Sequence, residues 1–190
     1  MNFKINIPAF LFVLAASITA NAQSNKEIKK FKIKSATVTA TEIVNGKEKT
    51  RTDSYQKFDN SANVLEEVEY SKDGTFKKKE SHKYNKNDDV IEEVIYDEKG
   101  NIKKKTIIEY NMDKDKTLET AYDGTGKMIE KTQYGYNSNG TRSFEITTDD
   151  KGKLLRKSIY TYNKDKLKTE KRTSDGNGNV ISVKKYAYEY

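Results

Sequence analysis

Aromatic and apolar side chains return along this chain at an interval of 26 residues. Gly74, Gly100, Gly126, Gly152 and Gly178 mark the interval, and two residues after each stands an apolar side chain: Phe76, Ile102, Met128, Leu154 and Val180. A second series, Phe58, Tyr84, Tyr110, Tyr136, Tyr162 and Tyr188, keeps the same step. A third, Tyr70, Tyr96 and Tyr122, decays to Thr148 and Ser174. A fixed period of this length marks an architecture built from one repeated supersecondary unit.

Each unit reads as a β-hairpin. Asp97, Asp123, Asp149 and Asp175 each stand three residues before a glycine of the first series. Asp at the first turn position accepts backbone hydrogen bonds, and Gly at the fourth takes the positive φ that closes such hairpins. The opposite ends turn on Asn-rich stretches beginning at Asn85, Asn111, Asn137 and Asn163. Between turns lie runs rich in Tyr, Ile, Val and Thr, of strand composition and strand length. Phe31–Val44, an Asn45-Gly46 turn and Lys47–Phe58 add one further hairpin. The expectation is an all-β fold: an antiparallel up-and-down meander of about twelve strands, forming a curled open sheet or half-barrel.

Side chains alternate across a strand with period 2, and every repeat spacing is even. Twelve of the thirteen Tyr are even-numbered, which predicts one shared Tyr-banded face. On odd positions, Lys77, Lys79, Lys103, Lys105, Lys131 and Lys157 leave the Gly turns, and Glu67, Glu69, Glu93, Glu119 and Glu145 arrive at them. Antiparallel neighbours would set Lys against Glu on the opposite, solvated face.

Composition changes this picture in two ways. Leu, Ile, Val and Phe make up only about 17% of residues 23–190, a value that borders on disorder. Disorder also calls for few aromatics and a large net charge. Here Tyr replaces the aliphatics, and the 36 basic and 29 acidic side chains nearly cancel. With no Cys, the chain is neither a disulfide scaffold nor a Cys-ligated metal protein.

The first 22 residues have a secretory pattern. Lys4 supplies the positive start, an apolar run follows, and Ala20-Asn21-Ala22 is a small-x-small cleavage site. The expected organisation is a signal peptide at 1–22, a polar N-terminal lead at 23–30 and a single β-repeat domain at 31–190. Residues after the signal contain no second apolar stretch long enough to span a membrane. A periplasmic, secreted or cell-surface address follows as an expectation.

Tyr-x-Tyr-Asn followed by Tyr-Asp-x-x-Gly-x-apolar, as in Tyr160-Thr-Tyr-Asn163 and Tyr96-Asp-Glu-Lys-Gly-Asn-Ile102, resembles the YD repeats of the Rhs family. The resemblance runs from about Phe58 to Tyr190. It implies a β-sheet shell that encloses or displays cargo, with carbohydrate binding as an associated property. The chain departs from the large members in being short and in losing the Tyr-Asp pair at Thr148-Asp149 and Ser174-Asp175.

Candidate chemistry is sparse. His82, the only His, occupies a slot filled elsewhere by Ile108 and Tyr134 and reads as a repeat variant. Carboxylates follow the strand period without converging, so acid–base catalysis finds no support. Asn and Asp alternate in the turns as in calcium loops, but without the glycine and distal glutamate of an EF-hand. No catalytic residue, metal or cofactor is assigned. The candidate contact surface is the Tyr-lined face: Tyr84, Tyr110, Tyr134, Tyr136, Tyr160, Tyr162, Tyr186 and Tyr188. Rings there could stack on sugars. The reading is a non-enzymatic structural or binding module at the cell envelope, with a glycan or an envelope protein as partner and no nucleic acid. The competing reading is an outer-membrane-associated β-barrel-like protein or an envelope hydrolase.

Overall fold

The computed structural model describes residues 24–44 and 47–189. The signal at 1–22, the Asn45-Gly46 turn and Tyr190 lie outside the described residues. A short helix α1 (Asn25–Phe31) precedes twelve strands: β1 (Ser35–Val44), β2 (Lys47–Phe58), β3 (Val64–Tyr70), β4 (Phe76–Tyr84), β5 (Val90–Tyr96) and β6 (Ile102–Tyr110), then β7 (Lys116–Asp123), β8 (Met128–Tyr136), β9 (Arg142–Asp149), β10 (Leu154–Tyr162), β11 (Lys168–Asp175) and β12 (Val180–Lys185). They form one antiparallel sheet in strict sequence order. The sheet is open, with β1 and β12 as its edges, so the barrel alternative does not describe this fold.

The Gly turns close as the sequence requires. Asp97 N–H donates to Asn101 O at 2.9 Å and Gly100 N–H to Asp97 O at 3.1 Å. The Asp97 carboxylate accepts from the N–H of Lys99 and of Asn101, and Gly100 stands at φ 81°. The Asn turns repeat the same geometry: Asn111 N–H donates to Asp115 O, and the Asn111 side chain accepts from Asp115 N–H. The described turns from Asp59 onward share this backbone closure; the side-chain acceptor is the first turn residue in most, Asp73 in the Ser71 turn and Asn139 in the Asn137 turn.

From the β2–β3 turn onward each turn is followed by a bulge, whereas the β1–β2 register shifts mid-strand at Val38/Thr39. Ile95 pairs with Lys104 and Tyr96 with Ile102, which leaves Lys103 without an opposite number. The same skip omits Ile91 in β5, Thr117 in β7, Ser143 in β9 and Thr169 in β11. An extra residue reverses the odd–even relation between neighbours. Even positions of β4, β6, β8 and β10 therefore lie beside odd positions of β3, β5, β7, β9 and β11.

The expectation of a single even-numbered face is corrected by this. Tyr70, Tyr96 and Tyr122 lie on one face, and Tyr96 Oη sits 3.1 Å from Ser81 Oγ there. The even-strand tyrosines Tyr84, Tyr110, Tyr134, Tyr136, Tyr160 and Tyr162 lie on the other. The charges do pair across strands, but on both faces. Lys77 meets Glu69 at 2.6 Å as expected, while Glu92 on β5 takes both Lys83 of β4 at 2.7 Å and Lys105 of β6 at 2.8 Å. Glu119 and Glu145 sit with the even-strand tyrosines, where Glu119 pairs with Thr132 and Glu145 with Tyr134 in register.

Most of the polar N-terminal lead, 23–30, lies in α1. Ser24 and Glu27 make a capping box, in which Ser24 accepts from Glu27 N–H and the Glu27 carboxylate accepts from Ser24 N–H. The helix buries Ile28 against Phe58 and Ala62, flanked by Ile33, Ala36 and Val64. This is the main apolar cluster of the described residues. Elsewhere single buried side chains, Val68, Val94, Ile108, Ala121 and Tyr160, are covered by neighbours within their own layer. Long Lys and Glu stems suit that covering role.

Candidate functional site: a tyrosine-stapled, cation-bearing rim

The second tyrosine series has a uniform job. Tyr84 donates its hydroxyl to Val64 O, Tyr110 to Val90 O, Tyr136 to Lys116 O, Tyr162 to Arg142 O and Tyr188 to Lys168 O, all at 2.8–2.9 Å. Each acceptor is the first residue of the entering strand, next to the skipped bulge residue. The ring reaches to the neighbouring strand and its hydroxyl ties down the carbonyl of the residue beside the bulge. These tyrosines act as staples, one per repeat.

The acceptor position divides the sheet in two. It is Val64 and Val90 in the N-terminal repeats, and Lys116, Arg142 and Lys168 in the C-terminal ones. The three cations open alternate strands β7, β9 and β11. Strands lie about 4.8 Å apart, so the cations form a row with a step of about 9–10 Å.

Around this row the face becomes an aromatic and ionic network. The Arg142 guanidinium lies 4.7 Å from the Tyr134 ring centre and 5.7 Å from that of Tyr136, and binds Glu145 at 2.7 Å. Glu145 also takes Lys171 at 3.0 Å. Lys168 and Lys171 each stand 5.0 Å from the Tyr160 ring, and Lys168 is 5.4 Å from Tyr186. Lys116 pairs with Glu119, whose other oxygen accepts from the Tyr134 hydroxyl. Cation–π contact and charge-assisted hydrogen bonds reinforce each other in such a half-buried setting.

Titration follows from these contacts. Burial, then the Glu119 carboxylate, pushes the Tyr134 hydroxyl well above the usual tyrosine range. Burial works against the charge of Glu145, but contacts with Tyr160, Lys171 and Arg142 outweigh it and hold the carboxyl below its ordinary value. Burial likewise opposes the charge of Arg142, and the Tyr136 hydroxyl with Glu145 more than restores it.

Two clefts open at the Asn-turn end. One, of about 490 Å³, is lined by Tyr110, Tyr136, Lys114, Lys116, Arg142 and Lys168, with Asp115 as its acid. The other, of about 430 Å³, mixes Asn85, Asn87 and Asn111 with the acids Asp89 and Glu109 and the apolar Ile91 and Ile108, and shares Tyr110 with the first.

Of the eight tyrosines singled out from the sequence, all stand on the stapled side of the sheet. Tyr110 and Tyr136 line the cationic cleft. Tyr134 and Tyr160 are packed under cations, and Tyr186 and Tyr188 are the more exposed members at the β12 edge. His82 stands beside Tyr84, its Nε2 4.0 Å from Glu93, with Nδ1 buried and unpaired. Among the described residues no three His, Asp or Glu side chains gather as a metal-ligand set. Sequence reasoning missed Lys114, Lys116, Arg142 and Lys168. The signal was present, because Lys116, Arg142 and Lys168 are themselves 26 apart.

No protein-family model and no curated protein matches the chain. Among solved structures, it is similar to a porin-like protein from Bacteroides uniformis ATCC 8492, at 14% identity and a TM-score of 0.40, over 73% of this chain and 55% of that one. It is also similar to TcdB2-TccC3, at 11% identity and a TM-score of 0.26, over 80% of this chain and 11% of that one. The chain thus spans about half of the porin-like protein and a small part of TcdB2-TccC3.

Proposed function

We propose that this protein is an exported, non-enzymatic β-repeat module that works at the cell envelope as a scaffold or binding surface. The observation that carries the reading is the commitment of its side chains. Five successive staple hydroxyls are spent on backbone carbonyls, and the carboxylates of Glu69, Glu92, Glu119 and Glu145 are each held by a cation. Such chemistry holds a single-layer sheet in shape and presents the Asn-turn rim as a contact surface. The signal-like start of the sequence supplies the address.

The test is expression of the full chain in a Gram-negative host, with fractionation and mass determination. The expected product begins at Gln23 and is found outside the cytoplasm. An uncleaved cytoplasmic product would overturn the reading.

A further inference from the structure

We infer that the free edge of β1 pairs with the same edge of a second copy of this chain, antiparallel and about a two-fold axis at Val38. The inference goes beyond the envelope-module reading and stands without it.

The edge of β1 lacks the usual guards. Lys34 O accepts from Phe58 N–H, so even positions of β1 bond inward to β2. Odd positions, Ser35 to Ile43, turn their N–H and C=O groups outward. Those odd residues are all exposed, Ile43 at 75%. Edge strands are ordinarily protected by Lys, Pro or a bulge. β1 has neither Lys nor Pro, and the extra residue of the β1–β2 register, Asp53, belongs to β2. Its one charge, Glu42, is drawn toward β2 by Arg51 at 2.8 Å. The other edge, β12, is guarded by adjacent Lys184 and Lys185.

The sequence selects the partner. Lys34-Ser-Ala-Thr-Val-Thr-Ala-Thr-Glu42 reads nearly alike from either end about Val38. Antiparallel pairing of two copies on that centre sets Val38 against Val38, Thr37 against Thr39, Ala36 against Ala40 and Ser35 against Thr41. It also sets Lys34 against Glu42, twice. Side chains then match in size and oppose in charge, the self-complementarity that a two-fold contact requires. An axis at Val38 keeps the pleat, since opposed residues differ by an even number and share a face. An axis moved to Ala40 would set Val38 against Glu42 and lose the ion pair. Both charges are available: Lys34 donates to the Asn60 amide oxygen and has no carboxylate partner among the described residues, and half of the Glu42 side chain is exposed. Ala36 and Val38 also line a cavity of about 190 Å³ against Ile28 of α1. The second copy's Ala40 and Val38 would close its β1 side.

The test is sedimentation velocity of the chain from Gln23, from about 1 μM to about 1 mM, with a dimer expected to form as concentration rises. Thr39→Pro removes an outward N–H and none of the β1–β2 bonds, and should weaken the dimer at least about tenfold. Lys34→Glu opposes like charges at both ends of the contact and should weaken it severalfold; adding Glu42→Lys should restore it. The chain has no Cys, so a single introduced thiol reports the axis. Val38→Cys should cross-link two chains under mild oxidation, because a non-hydrogen-bonded pair brings the side chains within disulfide reach. Thr41→Cys, about 20 Å from its copy, should not. Monomer throughout the range, assemblies larger than a dimer, undiminished pairing in a folded Thr39→Pro chain, or cross-linking through Thr41→Cys in place of Val38→Cys would each overturn the inference. Should Thr39→Pro melt early, Lys34→Glu and the two thiols still decide it.

Discussion

The Tyr136 hydroxyl donates to the carbonyl of Lys116, twenty residues earlier and 2.9 Å away. The same bond recurs in five repeats, so it can be removed singly or in pairs. Tyr136→Phe keeps the ring and leaves the carbonyl of a half-buried bulge unsatisfied, at a cost of about 1 kcal/mol. Tyr84→Phe and Tyr136→Phe lie far apart, and their costs should add. Urea denaturation followed by circular dichroism measures both. No loss in either variant would show that the bulges hold without their staples.

Acid should weaken the sheet. The ammonium groups of Lys105 and then Lys83 hold the Glu92 carboxyl below its ordinary value of 4.5, and Glu145 is held down as well. A depressed folded-state value means stability is fully present above the unfolded value and is lost as pH falls through the folded one. The urea midpoint is therefore expected to drop once pH passes below 4.5, and less steeply in Glu92→Gln.

Alkali should act through the tyrosines. Burial raises Tyr84 above its ordinary value of 10.0, and burial followed by the Glu145 carboxylate raises Tyr160. Their neutral forms favour the fold, so stability is full below pH 10 and declines as pH climbs toward the raised values. Ultraviolet titration of tyrosinate should resolve an early class and a late class. Tyr84→Phe should deplete the late one.

Gly135 is needed for a reason of space. A Cβ there would stand 2.0 Å from the ring of Phe144, its cross-strand partner. Gly135→Val should destabilise the β8–β9 pair by about 1–3 kcal/mol through overpacking. Phe144→Ala in the same chain should recover part of that loss. Thermal melts of the three variants decide it.

The left-handed turn position offers an internal comparison. Asp88, Lys114 and Lys166 take φ of 63–65° where the fourth repeat has Gly140 at 82°. A side chain in that region costs about 1–2 kcal/mol, offset in part by the greater freedom glycine loses on folding. Lys166→Gly should stabilise by about 0.5–1 kcal/mol, and Gly140→Ala should destabilise by a similar amount. Denaturation midpoints read both.

The strands, their order and the Asp–Gly turns were legible because period, strand composition and turn chemistry agree at every repeat. The faces were not. An unbroken strand keeps odd and even apart, but a skipped residue such as Lys103 or Thr117 exchanges them, and bulge residues carry no distinctive side chain. Helix α1 escaped notice although Ser24 and Glu27 stood at capping-box spacing, because seven residues are too few for apolar periodicity to show. Half of the candidate site was legible: the tyrosines announce themselves by rarity, whereas Lys116, Arg142 and Lys168 are hidden in a chain with 36 basic residues.

Because the sheet never closes, nothing in its geometry counts the strands. A barrel ties strand number to tilt and shear; here each staple reaches only to the strand next door. Removing 112–137 would join Asn111 to Ser138, rebuild a turn of the same kind, and leave both Tyr110 on Val90 and Tyr162 on Arg142. Length in such a protein is free to drift by whole repeats, and descendants of one gene can differ in reach while every surviving bond stays as it was.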